Sequence, residues 1–424
     1  MNKLKEYKLN ELYSMSSGIS STKEQAGHGF PFVTFRDIFN NIFIPENLTS
    51  LMDTSEDERQ KCSVKKGDVF FTRTSETVDE LAMSSVAIKD YPNATFSGFA
   101  KRLRPIRADL IYDKYMAFYF RSKYFRRIIN ANTIMTLRAS FNDDIFSYIK
   151  VSIPEYEEQV KIGNFLYDIE EKIQKNTQIN NNLEELMKTL YQRWFIEFNF
   201  PNEEGKPYKA SGGKMVYNEE LKRNIPENWN TDFISNYCSL ISGYAFSSND
   251  YVENGKYKLY TIKNVQDTGI ESKVDNYIDN INDDMDQECL LKPSDIIMSL
   301  TGNVGRIGIV YDNNALLNQR VLKIKPNNGY YSYIYLLLKG KEMRSYLEKH
   351  SNGTSQKNLS PITIEKTKIV IPNEKIIEKF ENIIRDYINS YIVNLQQNLK
   401  LIDFREFLLP MLMNGQINVD DIKI

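Results

Sequence analysis

A ten-residue stretch near the middle of this chain has a counterpart near its end. The first reads KVSIPEYEEQ at 150–159 and the second reads KIVIPNEKII at 368–377, an offset of 218 residues. The likeness extends upstream, where CSVKKGDVFFTRT at 62–74 parallels CLLKPSDIIMSLT at 289–301. A repeat of about 200 residues is far longer than the unit of a solenoid. The sequence therefore predicts two copies of one domain, with loops of unequal length.

Both copies combine strand and helix signals in the same order. Short runs of β-branched and aromatic residues, such as 69–72 and 296–299, are separated by Gly, Asn and Ser, which predicts strands joined by turns. Helical patches follow near 115–129 and 333–348. Each copy then ends in a strand that closes with Ile-Pro. This order predicts two similar α+β modules.

Each module is followed by a segment with the pattern of a long helix. Pro154 and the acidic residues after it are typical of a helix start, because the positive end of the helix dipole favours acids. Residues that recur every seven positions then predict a coiled-coil seam. In the first helix these are Ile162, Ile169, Asn176, Leu183 and Leu190, with Phe165, Ile179 and Leu186 at a companion position. In the second they are Phe380, Tyr387, Asn394, Leu401 and Leu408, with Ile383 and Phe404.

The two helices are expected to pack in antiparallel orientation. Each module precedes its helix, and the polar, turn-rich connector at 194–229 suits a chain that passes directly from the first helix into the second module. Asn176 and Asn394 occupy equivalent core positions. Because a buried Asn fixes register by requiring an amide partner, we predict that these two side chains meet near a pseudo-twofold axis. Chance equivalence in an Asn-rich chain is the alternative.

Together these signals predict an α+β fold with a pseudo-twofold internal repeat, in which two β-rich modules are separated by two long helices packed as an antiparallel coiled coil. The predicted segments are 1–154 (first module), 155–198 (first long helix), 199–230 (linker), 231–372 (second module), 373–415 (second long helix) and 416–424 (tail).

Common catalytic motifs are absent from the sequence. TGNVGRIG at 301–308 lacks the lysine of a phosphate-binding loop, and no dinucleotide fingerprint, nucleophile elbow or zinc-protease helix occurs. Three distant cysteines and two histidines make neither a disulfide framework nor a metal site. A recognition scaffold is therefore favoured over an enzyme. Since the N-terminus lacks an apolar signal core and no apolar run reaches the length of a bilayer span, we expect a cytoplasmic protein with no membrane association.

Positive charge is concentrated in one part of the chain. The net charge is −2, but residues 101–138 contain ten Lys and Arg and only two acidic residues. Lys and Arg bind DNA phosphates, whereas Arg, Asn, Gln, Ser and Thr also read base edges. In the first module the candidate DNA contacts are Arg73, Thr74, Ser75, Lys101, Arg102, Arg104, Arg107, Arg121, Lys123, Arg126, Arg127 and Arg138. In the second they are Ser299, Thr301, Asn303, Arg306, Asn318, Gln319, Arg320, Ser355, Gln356, Lys357 and Asn358. Ordinary solvated loop residues are the alternative for each.

Longer motifs follow one another along nearly the whole chain in the order found in one family. They are VSIPEYEEQVKIGNFL at 151–166, the connector at 194–229, ISGYAFSSNDY at 241–251, the stretch from LKPSDIIMSLTGNVGRIG to LKIKP at 291–326, and GTSQKNLSPITIEKTKIVIP at 353–372. In these motifs the chain resembles the specificity (S) subunit of type I restriction-modification systems. It departs from the family at 373–377, which lacks a Glu-Gln pair, and at 73–85, which lacks the GNVGRIG form.

The resemblance implies two target-recognition domains, each of which reads one half of a split, asymmetric site in duplex DNA, with the helix pair setting the spacer. It implies no catalytic residue, metal or cofactor in this chain. Two copies of a modification subunit would bind S-adenosylmethionine and methylate adenine, and a restriction subunit would use ATP and magnesium. Acidic residues on the outer helix face are predicted to dock the modification subunits; these are Glu157, Glu158, Asp168, Glu170 and Glu171.

Two other functions stay open at this point. The chain could be the recognition subunit of a type IIB-like system, whose partner combines methylase and nuclease. It could also be an adaptor whose modules bind protein and whose helices only dimerise. Steep salt dependence of binding to duplex DNA would favour either DNA-binding reading over the adaptor.

Overall fold

The computed structural model describes residues 4–75, 80–132, 139–353 and 357–422. Three of the predicted DNA contacts lie outside the described residues: Arg138, Ser355 and Gln356. Within the described part of the chain, no helix combines the length and the apolar composition that a bilayer span requires. In the same residues, no group of three or more His, Cys, Asp or Glu side chains is arranged to hold a metal ion.

The chain forms two compact units. Unit 1 comprises residues 1–173 and 400–424, and unit 2 comprises residues 174–399. Each unit therefore contains one α+β module together with part of each long helix.

Unit 1 is built around an antiparallel sheet with the strand order β2-β9-β5-β7. Its strands are β1 (Lys5–Lys8), β2 (Tyr13–Ser17), β3 (Ala26–Val33), β4 (Leu51–Met52), β5 (Val69–Thr72), β6 (Thr74–Ser75), β7 (Ser84–Val86), β8 (Thr95–Phe96), β9 (Ala100–Pro105), β10 (Ala139–Ser140) and β11 (Lys150–Ile153). Its helices are α1 (Leu9–Leu12), α2 (Phe35–Asn40), α3 (Glu56–Lys61), α4 (Asp113–Arg121), α5 (Lys123–Ala131), α6 (Asp143–Tyr148) and the first part of α7 (Tyr156–Tyr191). Strands β1 and β11 pair antiparallel, and β3 and β8 pair in parallel.

Apolar packing explains why β5 lies inside the sheet. All four of its residues are buried, as expected for a strand covered on both faces. The ring of Phe71 packs against those of Phe120, Phe125 and Phe141, with centroids 5.0, 5.9 and 5.1 Å away. These contacts hold helices α4 and α5 against the sheet.

Unit 2 repeats this architecture. Its strands are β12 (Met215–Asn218), β13 (Arg223–Pro226), β14 (Asn230–Phe233), β15 (Cys238–Ser242), β16 (Tyr257–Tyr260), β17 (Val265–Gln266), β18 (Gly269–Ile270), β19 (Tyr277–Ile278), β20 (Leu290–Leu291), β21 (Ile296–Ser299), β22 (Ile307–Ile309), β23 (Ala315–Leu317), β24 (Val321–Pro326) and β25 (Lys368–Ile371). Its helices are the end of α7, a π-helical turn (Gln192–Ile196), α8 (Tyr331–Lys339), α9 (Lys341–Lys349), α10 (Pro361–Glu365) and most of α11 (Glu374–Met413).

The two units correspond strand by strand. The antiparallel order β15-β24-β21-β22 repeats β2-β9-β5-β7, the pair β14 and β25 repeats β1 and β11, and the parallel pair β16 and β23 repeats β3 and β8. Helices α8 and α9 begin 218 residues after α4 and α5. The predicted α+β class and the internal repeat are confirmed.

Within unit 2, α7 and α11 run antiparallel. Asn176 contacts Asn398, and Asn180 contacts Asn394, so residues later in α7 contact residues earlier in α11. Just beyond α7, Phe195 continues the trend by packing against Phe380 on α11, with ring centroids 4.7 Å apart. Within unit 1, the ring of Phe165 packs against that of Phe404, with centroids 6.4 Å apart.

The predicted direct contact between Asn176 and Asn394 is wrong. Asn176 Nδ2 donates to Asn398 Oδ1 at 2.9 Å, and Asn394 Nδ2 donates to Asn180 Oδ1 at 2.9 Å. The 218-residue offset relates Asn176 to Asn394 and also Asn180 to Asn398. The two hydrogen bonds are therefore equivalent under exchange of the two helices, which is the pattern of an isologous contact.

The predicted companion positions of the seam are also displaced by one residue. Ile179, Leu186 and Ile383 are 46%, 49% and 38% exposed, so they lie outside the seam. The next residue is buried in each of these three cases, namely Asn180, Met187 and Ile384, and the half-buried Phe165 is likewise followed by the buried Leu166. The heptad spacing itself is retained, since Ile162, Ile169 and Asn176 are buried.

Candidate nucleic-acid interface

In unit 1, four chain segments meet where the strands of the main sheet end. Strands β2 and β5 end where the antiparallel β9 begins, which brings residues 18–20, 73–75 and 97–99 together with 139–141; we call this loop cluster 1. Backbone hydrogen bonds fix the segments to one another. They run from Ile19 N–H to Phe96 O (3.0 Å), from Gly98 N–H to Ile19 O (2.8 Å), from Arg73 N–H to Phe99 O (2.8 Å) and from Phe141 N–H to Arg73 O (2.9 Å).

Unit 2 has the same arrangement. At the corresponding strand ends of its sheet lies loop cluster 2, which comprises residues 243–245, 300–303, 318–320 and 357–359. Its backbone bonds match those of loop cluster 1 one for one. They run from Tyr244 N–H to Leu317 O (3.0 Å), from Gln319 N–H to Tyr244 O (2.8 Å), from Leu300 N–H to Arg320 O (2.9 Å) and from Leu359 N–H to Leu300 O (2.8 Å).

A glycine permits the close approach of two loops in each cluster. A Cβ atom on Gly18 would lie 2.3 Å from the carbonyl oxygen of Ser97, and one on Gly243 would lie 2.0 Å from that of Asn318. Both distances are far inside van der Waals contact, so a larger residue would force the loops apart. The glycines of SSGIS and ISGYA in the sequence therefore serve one structural purpose.

The side chains presented by the clusters differ between the units. Loop cluster 1 exposes Arg73 and Phe99, whereas Thr74 is half-buried and Ser75 is described by its backbone alone. In loop cluster 2 the exposed polar side chains are Asn303, Gln319, Arg320, Lys357 and Asn358. The predicted contacts Ser299, Thr301 and Asn318 are buried, which does not favour a direct contact with DNA. Ser299 Oγ donates to the Asn303 carbonyl at 2.5 Å, and Asn318 Oδ1 accepts from Gln319 N–H at 2.8 Å.

Several predicted phosphate-binding residues of unit 1 have partners inside the protein. Arg104 donates to both carboxylate oxygens of Asp68, at 2.7 and 2.6 Å, and this contact raises the pKa of Arg104. Arg102 is buried and donates to the Ser63 carbonyl at 2.6 Å, while Lys101 is buried with its Nζ 3.9 Å from the Asp143 carboxylate. The exposed Arg107 forms two hydrogen bonds with the Asp109 carboxylate, at 2.9 and 2.7 Å. Lys101, Arg104 and Arg107 thus each lie against a carboxylate within the unit, which makes them weaker candidates for phosphate contacts.

Arg121 has a structural role, and we withdraw it from the candidate interface. Its guanidinium donates to the carbonyl oxygens of Ser84 (2.6 Å), Ile38 (2.8 Å), Phe39 (2.9 Å) and Asn41 (2.8 Å). Burial lowers the pKa of this group to about 10. The half-buried side chain thus ties α4 to the end of α2 and to β7.

The other predicted basic residues of unit 1 lie on α5. Lys123 and Arg127 are exposed and four residues apart, so they lie on one face of the helix, and Arg126 is half-buried. In unit 2, Arg306 donates to Gln266 Oε1 at 3.1 Å and to Asp267 Oδ2 at 2.6 Å. This pairing makes Arg306 a poor candidate for a phosphate contact.

The predicted docking carboxylates on α7 do not share one environment. Glu157 and Asp168 are exposed, and Glu158 and Glu171 are half-buried. Glu170 is buried and forms an ion pair with Arg405 inside unit 1, so it does not belong to an outer face.

Sequence reasoning missed three residues that the structure brings to attention. Asn180 and Asn398 were recognisable by the same 218-residue offset that relates Asn176 to Asn394. Phe99 was passed over because it is apolar, although FSGFA and LNQRV align it with Arg320.

These features define a class of protein with two copies of one α+β module. Each copy has one loop cluster, and the two clusters share their backbone hydrogen bonds and differ in their exposed side chains. The chain belongs to the family of the type I restriction modification DNA specificity domain, whose family model matches residues 1–185 and 226–401. The assignment to type I specificity subunits made from the sequence is thereby confirmed.

Individual relatives cover nearly the whole chain. It is 26% identical to the MjaIX specificity subunit of a type I restriction enzyme from Methanocaldococcus jannaschii, over 98% of this chain and 93% of that protein. It is 23% identical to the HindI specificity subunit of a type I restriction enzyme from Haemophilus influenzae, over 98% of this chain and 100% of that protein. The crystal structure of a type I S subunit from M. genitalium has the same fold, with a TM-score of 0.60, 14% identity and coverage of 97% and 96% of the two chains.

Proposed function

We propose that this specificity subunit reads a bipartite, asymmetric DNA site, with each unit reading one half and the α7–α11 pair setting the spacer. The observation that carries the proposal is the pair of loop clusters, which share a backbone hydrogen-bond pattern but differ in their exposed side chains. The shared hydrogen-bond pattern favours the same mode of docking in both units. Different side chains favour different base sequences, because sequence is read by side-chain contacts to base edges.

The exposed side chains suggest how the two halves differ. Loop cluster 2 offers Arg320, which suits guanine, and Gln319 with Asn358, which suit adenine. In unit 1, Lys123 and Arg127 on α5 are the proposed phosphate contacts, because they are exposed and lie on one helix face.

The chemistry of the system is proposed to reside in partner subunits. Two modification subunits would bind S-adenosylmethionine and methylate adenine, and a restriction subunit would use ATP and magnesium. Of the predicted docking residues, Glu157 and Asp168 are retained because they are exposed on α7, and Glu158 and Glu171 are retained at its half-buried margin. Reversing the charges of Glu157 and Asp168 should weaken assembly with the modification subunit, and unchanged assembly would remove this face from the proposal.

Methylome sequencing tests the proposal directly. The gene is expressed with its modification partner in a host that lacks DNA methylation, and methylated adenines are mapped. The expected result is a split motif of two unequal halves with a fixed spacer. A stable complex that adds no methylation would refute the DNA-reading function and would favour a protein-binding adaptor.

Salt dependence tests the phosphate contacts separately. Log affinity falls as log salt rises, and each phosphate contact adds about 0.9 to the steepness of this fall. Changing both Lys123 and Arg127 to Gln should therefore make the slope less steep by up to about 2. Lys206→Gln, at an exposed position in the linker of unit 2, is the matched control and should leave the slope unchanged. Equal slopes for all three proteins would place the phosphate contacts elsewhere.

A further inference from the structure

Phe99 is the most exposed large apolar side chain in the described part of the chain. It is 68% exposed, although its neighbours Phe96 and Ala100 are fully buried. A phenylalanine that extends into water loses the free energy that burial would provide, about 1.5–3 kcal/mol for a side chain of this size. An exposed Phe at the centre of a polar loop cluster is therefore a candidate contact for something that binds there.

The backbone of Phe99 is held on both sides. Its N–H donates to Ser97 Oγ at 3.2 Å, and its carbonyl oxygen accepts from Arg73 N–H at 2.8 Å. The turn is closed by a bond from Ala100 N–H to Ser97 O at 2.9 Å, and Gly98 N–H donates to Ile19 O at 2.8 Å. The side chain thus projects from a fixed position, which reduces the entropy lost when it makes a contact.

The equivalent position in unit 2 is Arg320. Its carbonyl oxygen accepts from Leu300 N–H at 2.9 Å, as that of Phe99 accepts from Arg73 N–H. Arg is the residue that most often reads guanine in the major groove, whereas an apolar side chain at such a position contacts the methyl group of thymine. Equivalent positions, which share this hydrogen bond although Arg320 has a positive φ of 71° and Phe99 does not, therefore present two side chains of different base preference.

We infer that Phe99 contacts the methyl group of a thymine in the half-site read by unit 1. This inference rests on the DNA-reading function proposed above and names one residue and one base for it. Arg73 and Thr74 lie beside Phe99 in loop cluster 1, and both are residue types that bond to base edges. The apolar contact would then lie among hydrogen-bonding contacts in one groove.

The test couples a protein change to a change in the DNA. Duplexes that carry the methylated motif are prepared with each thymine of both half-sites replaced in turn by uracil, which lacks only the C5 methyl group. Their affinities are measured for the full-length chain in complex with its modification subunit, as wild type, Phe99→Ala and Ile106→Ala. Ile106 is the matched control, because it is 54% exposed at the opposite end of the same strand, β9. Thermal unfolding checks that both variants fold as the wild type does.

For the wild type, we expect one thymine whose replacement by uracil lowers affinity about fourfold, the effect of one buried methyl group. Phe99→Ala should lower affinity for the unmodified duplex about tenfold and should abolish the effect of uracil at that same thymine. Ile106→Ala should match the wild type throughout.

Three results would overturn the inference. The first is specific, salt-sensitive binding by the wild type that Phe99→Ala leaves unchanged. The second is weaker binding by Phe99→Ala with undiminished uracil effects at every thymine, which would indicate an apolar contact elsewhere. The third is a motif in which the half-site read by unit 1 contains only G·C pairs, and therefore no thymine, while Phe99→Ala still lowers the affinity for it. If the wild type shows no specific binding, the proposed function itself fails, and the inference fails with it.

Discussion

Replacing both Asn176 and Asn394 by leucine is expected to lower the stability of unit 2. Had these two side chains met each other, the double replacement would have removed a complete polar pair and raised stability. Each instead bonds to a different asparagine, so the replacement leaves Asn398 and Asn180 without the partners that now lie 2.9 Å away. The structure therefore reverses the sign of the expected effect.

The magnitude follows from the burial of the groups left behind. Asn398 and Asn180 are 9% and 4% exposed. Asn398 also donates to Thr177 Oγ1 at 3.2 Å, and Asn180 to the Tyr391 carbonyl at 3.1 Å, and these bonds remain after the replacement. A buried polar group that loses its partner costs about 1–3 kcal/mol. Two such losses, partly offset by the added leucine side chains, give a net destabilisation on the order of 2 kcal/mol.

Replacing all four asparagines by leucine should recover most of this loss. Removal of both partners of a buried hydrogen bond is nearly neutral or stabilising, because neither buried amide is left without the other. The assay is chemical denaturation of the wild type and of the double and quadruple variants, and the quantity measured is the unfolding transition of unit 2. Leucine at the exposed Asn182 of α7 serves as the control and should change stability by less than about 0.5 kcal/mol. A double variant as stable as the wild type, or a quadruple variant about twice as destabilised as the double, would refute the pairing.

Other predictions concern single positions. Arg121→Met should destabilise unit 1 by on the order of 3 kcal/mol, because four backbone carbonyls lose their donor. It should leave the salt dependence of DNA binding unchanged, and a less steep salt dependence at unchanged stability would return Arg121 to the candidate interface. Gly243→Ala should weaken specific DNA binding more than non-specific binding, since the added Cβ would displace loop cluster 2; equal losses in a competition assay would contradict this. Burial raises the pKa of Glu381, so its contribution to stability is present below pH 4.5 and is lost as pH rises through the raised pKa. Glu381→Gln should therefore raise the unfolding temperature at neutral pH and flatten its dependence on pH above 4.5, and an unchanged slope would refute the assignment.

The repeat and the order of modules and helices could be predicted because both depend on apolar patterning. Strands such as β5 and β21 are continuous apolar runs that have to be buried, and their 227-residue offset is visible in the sequence. The loop clusters could not be found in this way, because long-range backbone bonds such as that from Arg73 to Phe99 leave no periodic signal.

The seam of the long helices is a feature that the apolar pattern alone does not determine. At several heptad positions an apolar residue stands at each of two adjacent sites, as with Phe165 and Leu166 or Leu186 and Met187. Either set makes a stripe of the right period, so the sequence does not choose between them. The choice depends on which face the partner helix covers, and in the structure the later residue of each pair is the more buried.

Local charge alone does not show which basic residues are exposed, and the internal repeat explains why. Arg104 on β9 pairs with Asp68. In unit 2 the Asp at the position corresponding to Asp68 is Asp295, which lies 3.0 Å from Nζ of Lys323 on the equivalent strand β24; Lys323 aligns with Arg102, two residues before the position of Arg104. Both modules thus place a basic strand residue against an Asp that precedes the neighbouring strand. An Asp that pairs with a basic residue of the same neighbouring strand in both copies, although the copies expose different side chains in their loops, serves what the copies share, which is the fold. Residues that read different half-sites are instead expected where the copies share backbone hydrogen bonds and differ in side chain, as at Phe99 and Arg320.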